Sequence, residues 1–320
     1  MIRYGRATAF GLLVGLATGA IWVGYAYHRD LVDARARVST GSRLISTRCG
    51  PIEYAEVGAG PVILAVHGAG GGFDQGLALG APFAAKGYRV IAMSRFGYLR
   101  TPAPTQPSIA LQADAHACLL EALGVARAAV IGVSAGAPSA LEFALRYPGR
   151  CSGLVLLMPG WYPDPGSSSR PRGALEALLF ERSLQSDFLF WAVGKLLPAL
   201  VERTVLGTPP AVVEAGSPSD KARIAAVLRG ILPISRRQVG LLLERQLTVA
   251  RLSRPLESMS VPTLAMSAED DLYGTYPNAQ YIARHVLHCR LVAYRTGGHL
   301  WVGHHDELLA TTLEFLHEHS

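Results

Sequence analysis

Four nearly continuous apolar runs stand out in the first half of the chain: PVILAVHG (61–68), YRVIAMSR (88–95), AAVIGVS (128–134) and CSGLVLLMP (151–159). Runs without polar alternation belong to strands buried on both faces, the condition of a parallel sheet. Between them, residues 109–123 and 137–147 carry apolar side chains at three- and four-residue steps, the period of amphipathic helices. Shorter β-type runs at 43–48 and 52–57 precede them, broken by Gly50-Pro51 and by the glycines at 58 and 60. The alternation lapses after Gly160 and resumes with VPTLAMSAEDD (261–271), a helix near 276–286, CRLVAYRTGGH (289–299) and a terminal helix near 306–317. Strands alternating with helices in this way predict an α/β fold with a mostly parallel central sheet flanked by helices. Residues 161–260 are helical in pattern and punctuated by proline, which predicts a helical cap inserted into a core made of 43–160 and 261–320. The apolar stretch 188–201 is interrupted by Lys195 and Pro198, too short and broken to span a bilayer, and is expected to form the cap's own core over an apolar pocket.

The first thirty residues follow a different pattern. Residues 7–27 carry no charge, and a helix of that length spans roughly 30 Å, the thickness of a hydrocarbon core. Arg3 and Arg6 precede the run, and Trp22, Tyr25 and Tyr27 lie toward its far end, where aromatic rings favour the interface. A cleaved signal peptide is the rival, with a weak small-x-small site at Ala17 to Ala20, but the apolar run continues past it. The expectation is an N-terminal transmembrane anchor over 1–30, a polar, Arg-rich connector over 31–42, and a single-pass membrane protein whose large domain lies outside the cytoplasm. Arginines flank the run on both sides, so orientation rests on the short N-terminus ahead of a long domain.

Composition narrows the class. Half of the 320 residues are apolar, enough for a large core. The net charge of +6 comes from arginine far more than lysine, of which there are three (Lys86, Lys195, Lys221). No compact basic run with interleaved aromatics is present, so nucleic acid is not an expected partner. Cys49, Cys118, Cys151 and Cys289 lack metal-like spacing. They are expected to be small buried apolar residues, and no disulfide pairing follows from their positions.

The chemistry centres on GVSAG (132–136), which falls between a buried strand and a helix. A strand–turn–helix setting is what a nucleophile elbow requires: a sharp turn presents Ser134 at the carboxyl edge of the sheet, and its neighbours Gly132, Ala135 and Gly136 are small. A serine needs a base, and His299 in TGGHLW follows the last strand on the same edge. His304 and His305 compete with it but fit the polar start of the terminal helix. His67 is expected to support the glycine loop through hydrogen bonds. Asp270 and Asp271 follow the penultimate strand, where a carboxylate could fix the base's tautomer, and the residues alone leave the choice between them open. Ala135, next after the serine, supplies one oxyanion donor, and the loop HGAGGG (67–72) is positioned for the other. That loop lacks the Lys-Ser/Thr of a phosphate loop.

Taken in order, HGAGGG, SRFGY (94–98), GVSAG, the aspartate loop and GGH resemble the α/β-hydrolase family over about residues 43–318. The resemblance implies a catalytic Ser134–Asp271–His299 set with Ala69 and Ala135 as oxyanion donors. Asp271 is preferred because the family's acid falls three residues after a small residue closing the strand, here Ala268 where the family often has glycine. A serine at the elbow argues against dehalogenase and epoxide hydrolase chemistry on the same fold. The implied activity is a cofactor-free, metal-free serine hydrolase of carboxylic esters acting through an acyl-enzyme. An apolar or lipid-derived substrate is expected from the composition of cap and anchor. Carbon–carbon bond hydrolysis, lactone opening and peracid formation remain alternatives, as fold and residues do not fix the substrate. A non-catalytic binding protein is a further one, although every candidate residue is present.

Overall fold

The computed structural model describes residues 2–162 and 181–319, with side chains from residue 15 onward. Its strands are β1 (Arg43–Thr47), β2 (Gly50–Val57), β3 (Val62–Val66), β4 (Arg89–Met93), β5 (Ala128–Val133), β6 (Cys151–Leu157), β7 (Thr263–Ala268) and β8 (Cys289–Tyr294). They form one sheet in the order β1-β2-β4-β3-β5-β6-β7-β8. The β1–β2 and β2–β4 pairs are antiparallel, and every pair from β4 to β8 is parallel. The described helices are α1 (Ile2–Ser39), α2 (Phe73–Ala84), α3 (Ile109–Ala122), α4 (Ala137–Arg146), α5 (Asp187–Leu196), α6 (Pro198–Thr204), α7 (Pro210–Ala215), α8 (Pro218–Ile231), α9 (Gln238–Leu247), α10 (Thr275–His285) and α11 (His305–Glu318).

Both faces of the sheet are covered, as the unbroken apolar runs require. Along β3, Leu64 and Val66 join Leu119 and Phe143 in one cluster, while Ile63 and Ala65 join Leu264 and Phe315 in the other. This is the two-residue alternation of a strand expressed with apolar residues on both sides. The sequence pattern assigns no helix between β3 and β4, yet α2 forms there. Its glycines and Pro82 hide it. A Cβ at Gly76 would lie 2.7 Å from Ala92 Cβ and one at Gly80 2.3 Å from Val90 Cγ1, so the glycines are what let α2 lie close against β4.

The expected membrane-spanning helix is not supported by the described residues. Among the described residues no helix is long and apolar enough to cross a membrane. Side chains 2–14 of the expected span lie outside the description. The stretch expected as a connector, 31–42, is helical for most of its length, because α1 runs unbroken to Ser39. Leu31, Ala34 and Val38, spaced by three and four, are buried, and Ala26 and Ala34 belong to the cap's apolar cluster with Phe190, Trp191 and Ile231. Polar contacts fasten the same stretch. Asp30 accepts the Trp191 indole N–H at 2.9 Å and pairs with Lys195 at 3.2 Å, and Arg37 donates to the Leu232 carbonyl at 2.6 Å.

Helices α5 to α9 lie between β6 and β7, where the cap is expected; its part at 163–180 lies outside the described residues. The 188–201 stretch is split between α5 and α6 at Pro198. The two ends of the insertion are tied together, since Trp161 Nε1 donates to the Ala250 carbonyl and Tyr162 N to that of Thr248, both at 2.9 Å.

Cys49, in the β1–β2 turn, is disulfide-bonded to Cys118 in α3, a pairing that the sequence left open. Positions in a hairpin turn and in a helix gave no sign of the pairing, because it is the stacking of α3 under the edge of the sheet that brings them together. Cys151 and Cys289 are free, and burial pushes both thiols up to about 12. The bridge closes a loop of 69 residues, for which loop-closure entropy gives a stabilisation of about 4 kcal/mol. Replacing both bridged cysteines with alanine is expected to lower the unfolding free energy by about 2–4 kcal/mol, read as a lower urea midpoint that reductant does not shift further. Coincident midpoints for the oxidised parent and the double variant would show that the bridge contributes nothing.

Candidate active site

Ser134 follows β5 directly and has φ 50, in the left-handed region that costs a non-glycine residue about 1–3 kcal/mol. The surroundings hold it there by tolerating no side chains. A Cβ at Gly136 would fall 2.6 Å from the carbonyl oxygens of Val66 and His67, one at Gly132 2.7 Å from Ala140 Cβ, and one at Gly160 3.0 Å from the Ser134 carbonyl carbon. The Gly160 amide donates to the Ser134 carbonyl at 3.0 Å. Behind the turn, buried His116 contacts Ser139, whose hydroxyl donates to the Gly136 carbonyl at 3.1 Å. Strand, turn and helix therefore fix where the Ser134 hydroxyl leaves the sheet.

His299 stands in the loop after β8. Its Nδ1 lies 2.7 Å from Asp271 Oδ2. A carboxylate only accepts, so Nδ1 carries the proton and Nε2 is left bare to take another. Asp271 is buried and saturated with donors: Oδ1 accepts the Tyr273 amide at 2.8 Å and Oδ2 also accepts the Thr275 hydroxyl. Asp270 has a different task. Its two oxygens accept the amides of Gly298 at 2.8 Å and Gly297 at 3.3 Å, pinning the glycine turn that carries His299. Gly297 has φ 130 and Gly298 φ 60, and a Cβ at Gly298 would meet Thr208 at 2.5 Å. The Tyr273 ring meets the His299 imidazole edge-on at 4.9 Å, and its hydroxyl donates to the Val205 carbonyl of the cap at 2.8 Å. Among the described residues no hydrogen bond joins Ser134 to His299. His304 caps α11 and His305 opens it, as their place in the sequence suggests.

The glycine loop lies beside the elbow: a Cβ at Gly68 would be 3.2 Å from Ser134 Cβ. Ala135 N–H falls in the first turn of a helical segment, where no intrahelical carbonyl is available to it. Ala69 is the exposed residue of a loop whose neighbours are buried. His67 holds this loop from within. Its Nδ1 donates to the Gly68 carbonyl at 2.7 Å and its Nε2 accepts the Arg95 amide at 2.9 Å, so both ring nitrogens are committed and the imidazole is neutral.

Three cap-to-core contacts have no counterpart in the sequence reading. Arg95, 2 % exposed, donates to the His67 carbonyl at 2.9 Å and to Glu244 of α9 at 2.5 Å. Tyr98 donates to the same carboxylate at 2.7 Å and receives the Gly70 amide at 3.4 Å. Arg237, fully buried at the start of α9, donates to the Gly71 carbonyl and to Asp74 at 2.8 Å; its Nε has no acceptor among the described residues. Arg95 and Tyr98 sit in the SRFGY run, but nothing in the α9 sequence distinguishes Glu244 or Arg237 from surface charges. No group of side chains suited to a metal ion occurs among the described residues.

With strand order, elbow and His–Asp pair in hand, comparison with known proteins settles the family. A family model described as alpha/beta hydrolase fold matches residues 61–303, and the chain belongs to that family. Hydrolysis is the reaction class that its named relatives share. It is similar to 2-hydroxy-6-oxo-6-phenylhexa-2,4-dienoate hydrolase from Comamonas testosteroni, 34% identical over 114 residues, 34% of this chain and 40% of that protein. An uncharacterized hydrolase, YcgS, from Bacillus subtilis (strain 168) is 27% identical over 263 residues, 79% of this chain and 90% of its own. Among solved structures, an alpha/beta hydrolase fold protein from Nakamurella multipartita matches with a TM-score of 0.66 and 27% identity, covering 86% of this chain and 98% of its own.

Burial, reinforced by the Arg95 charge, holds the His67 imidazole well below the ordinary histidine value and lowers His116 to about 3. Both stay neutral in the folded chain and take a proton in the unfolded one below about pH 6.5. The unfolded state then binds more protons, so stability is full above that pH and is lost as pH falls toward the folded-state values. Each imidazole contributes a slope approaching roughly 1.4 kcal/mol per pH unit. Urea titrations between about pH 7.5 and pH 5 should show the loss, with His116→Gln removing about half of the slope that these two histidines contribute. An unchanged slope in that variant would place the titration elsewhere.

Proposed function

We propose that the chain is a serine hydrolase of carboxylic esters. The observation that carries this reading is the His299–Asp271 pair on the same sheet edge as a serine strained out of ordinary backbone geometry. In the proposed cycle Ser134 Oγ attacks the ester carbonyl and passes its proton to His299 Nε2. Asp271 holds the imidazole in the tautomer that can accept it and stabilises the imidazolium. The negative charge forming on the carbonyl oxygen is received by the Ala69 and Ala135 amides. Collapse breaks the ester C–O bond, and the leaving alkoxide takes the proton from His299. A water then attacks the acyl-enzyme by the same route in reverse, releasing the acid and restoring Ser134.

A second reading, carbon–carbon bond hydrolysis, is favoured by the name of the Comamonas relative, whose substrate is an oxo-dienoate with a ketone and a free carboxylate but no ester. Its alignment covers less than half of either chain, and one feature of the site weighs against it here. The two buried guanidinium groups beside the glycine loop are already paired, Arg95 with Glu244 and Arg237 with Asp74, an aspartate that Arg37 also approaches at 3.6 Å. A substrate carboxylate bound there would compete with both, whereas a neutral ester does not. The Cys49–Cys118 bridge supports placement of the domain in an oxidising, extracytoplasmic compartment.

Fluorophosphonate labelling and hydrolysis of short p-nitrophenyl esters are both expected for the parent chain and lost in Ser134→Ala. Asp271→Asn is expected to lower kcat on the order of 10⁴-fold, because it leaves His299 in the wrong tautomer. Asp270→Asn keeps one acceptor for the glycine turn and should cost about tenfold or less. Equal losses in the two aspartate variants would overturn the assignment of roles. Turnover of the oxo-dienoate without turnover of esters would favour the second reading.

A further inference from the structure

Helices α1, α5, α6, α7 and α8 enclose a cavity of about 620 Å³ that shares no lining residue with the elbow, the His299 loop or the glycine loop. Its walls are largely apolar: Trp191, Gly194, Leu206, Val213, Ile224 and Leu228, with Ala34 closing the α1 side. Volume and lining fall within the range of small-molecule sites. Charged groups lie toward the rim, and several are engaged with one another: Asp30 with Lys195 at 3.2 Å, and Arg37 with the Leu232 and Arg229 carbonyls at 2.6 and 3.1 Å.

Two further observations point to an occupant. The first is the floor. Leu206 is followed by Gly207, whose carbonyl accepts the amides of Leu272 at 2.9 Å and His299 at 3.3 Å. Leu232 is preceded by Ile231, whose side chain packs on Gly70 of the glycine loop. The cavity floor is thus one residue removed from both halves of the candidate active site. The second is the surface beside the cavity. Leu16, Ile21, Trp22 and Tyr25 of α1 are 66–73 % exposed, and α5 exposes Phe188, Leu189 and Leu196. The rings of Tyr27, Phe188 and Trp191 meet at 5.2 to 6.1 Å and join this surface to the cavity wall. These exposed aliphatic and aromatic side chains, on a stretch of α1 that carries no charge from 15 to 27 and is exposed on every side up to residue 25, have the chemistry that partitions into lipid.

We propose that this cavity binds the alkyl chain of a single-chain amphiphile, taken from a lipid surface on which α1 and α5 rest, with the polar head kept at the charged rim. The binding site stands independently of the hydrolase reading, although its floor places a bound chain next to the proposed catalytic groups.

The test uses the full chain and cis-parinaric acid below its micellar concentration. Saturable binding is expected for the parent and equally for Ser134→Ala. Gly194→Phe and Ala225→Trp fill the cavity from α5 and α8; a Cβ at Gly194 meets only Leu228 Cδ2, at 3.7 Å. Each should weaken binding by about tenfold or more while leaving the fluorophosphonate labelling rate within about twofold of the parent. In a second measurement on the unaltered chain, a diazirine fatty acid should crosslink to peptides from 30–37 and 190–232. Crosslinks confined to the elbow and glycine loop, non-saturable binding by the parent, or parent-like affinity in both variants would each overturn the proposal. Binding without fluorophosphonate labelling of the parent would instead overturn the hydrolase reading alone.

Discussion

Everything at the carboxyl edge of this sheet is arranged around one strained residue. Ser134 holds a backbone conformation that L-amino acids avoid, and it does so because the chain on three sides comes too close for any alternative. Gly132 admits Ala140, Gly136 admits the Val66 and His67 carbonyls, and Gly160 admits the turn itself. The strain is offset by the parallel strands β3, β5 and β6, whose registers bring those three segments together. A side chain at any of the three glycines would move the turn, and the serine hydroxyl would leave the position that β8 and β7 serve with a histidine and an aspartate.

The glycine loop is secured by a different kind of force. Burying Arg95 and Arg237 is costly in itself, and the cost is recovered only through good geometry with Glu244 and Asp74. Both guanidinium groups also donate to carbonyls of the loop, at His67 and Gly71. The loop that would bind an oxyanion is thereby held by charges whose partners belong partly to the cap. Cap and loop are one electrostatic unit, although sequence places them more than a hundred residues apart.

How far the sequence was legible follows from these forces. The strands, the helices α3, α4, α10 and α11, and the elbow were readable because each depends on local pattern: apolar runs, a three-to-four period, small residues around a serine. Helix α2 was missed because its glycines answer to the face of β4, a contact the local pattern does not contain. The N-terminal segment was read from its hydropathy and its arginine and aromatic flanks, and the Leu31, Ala34, Val38 spacing on the side of α1 that meets the cap was present but outweighed by the arginines between. Asp270 and Asp271 are adjacent and chemically identical; only the turn after β7 decides that one faces the imidazole and the other faces the glycine amides. The Cys49–Cys118 bridge, Glu244 and Arg237 are properties of tertiary packing, and no local signal announces them.

These connections also constrain how a substrate reaches Ser134. A cap that opened as a rigid lid would have to part Arg95 from Glu244 and Arg237 from Asp74, breaking two ion pairs whose members are buried together. It would also break the Tyr273–Val205 and Gly240–Gly97 hydrogen bonds, the first of them beside His299. On the α1 side the cap is joined by apolar contacts and by ion pairs nearer the solvent, such as Arg35–Asp187 and Lys195–Asp30, and these yield more cheaply.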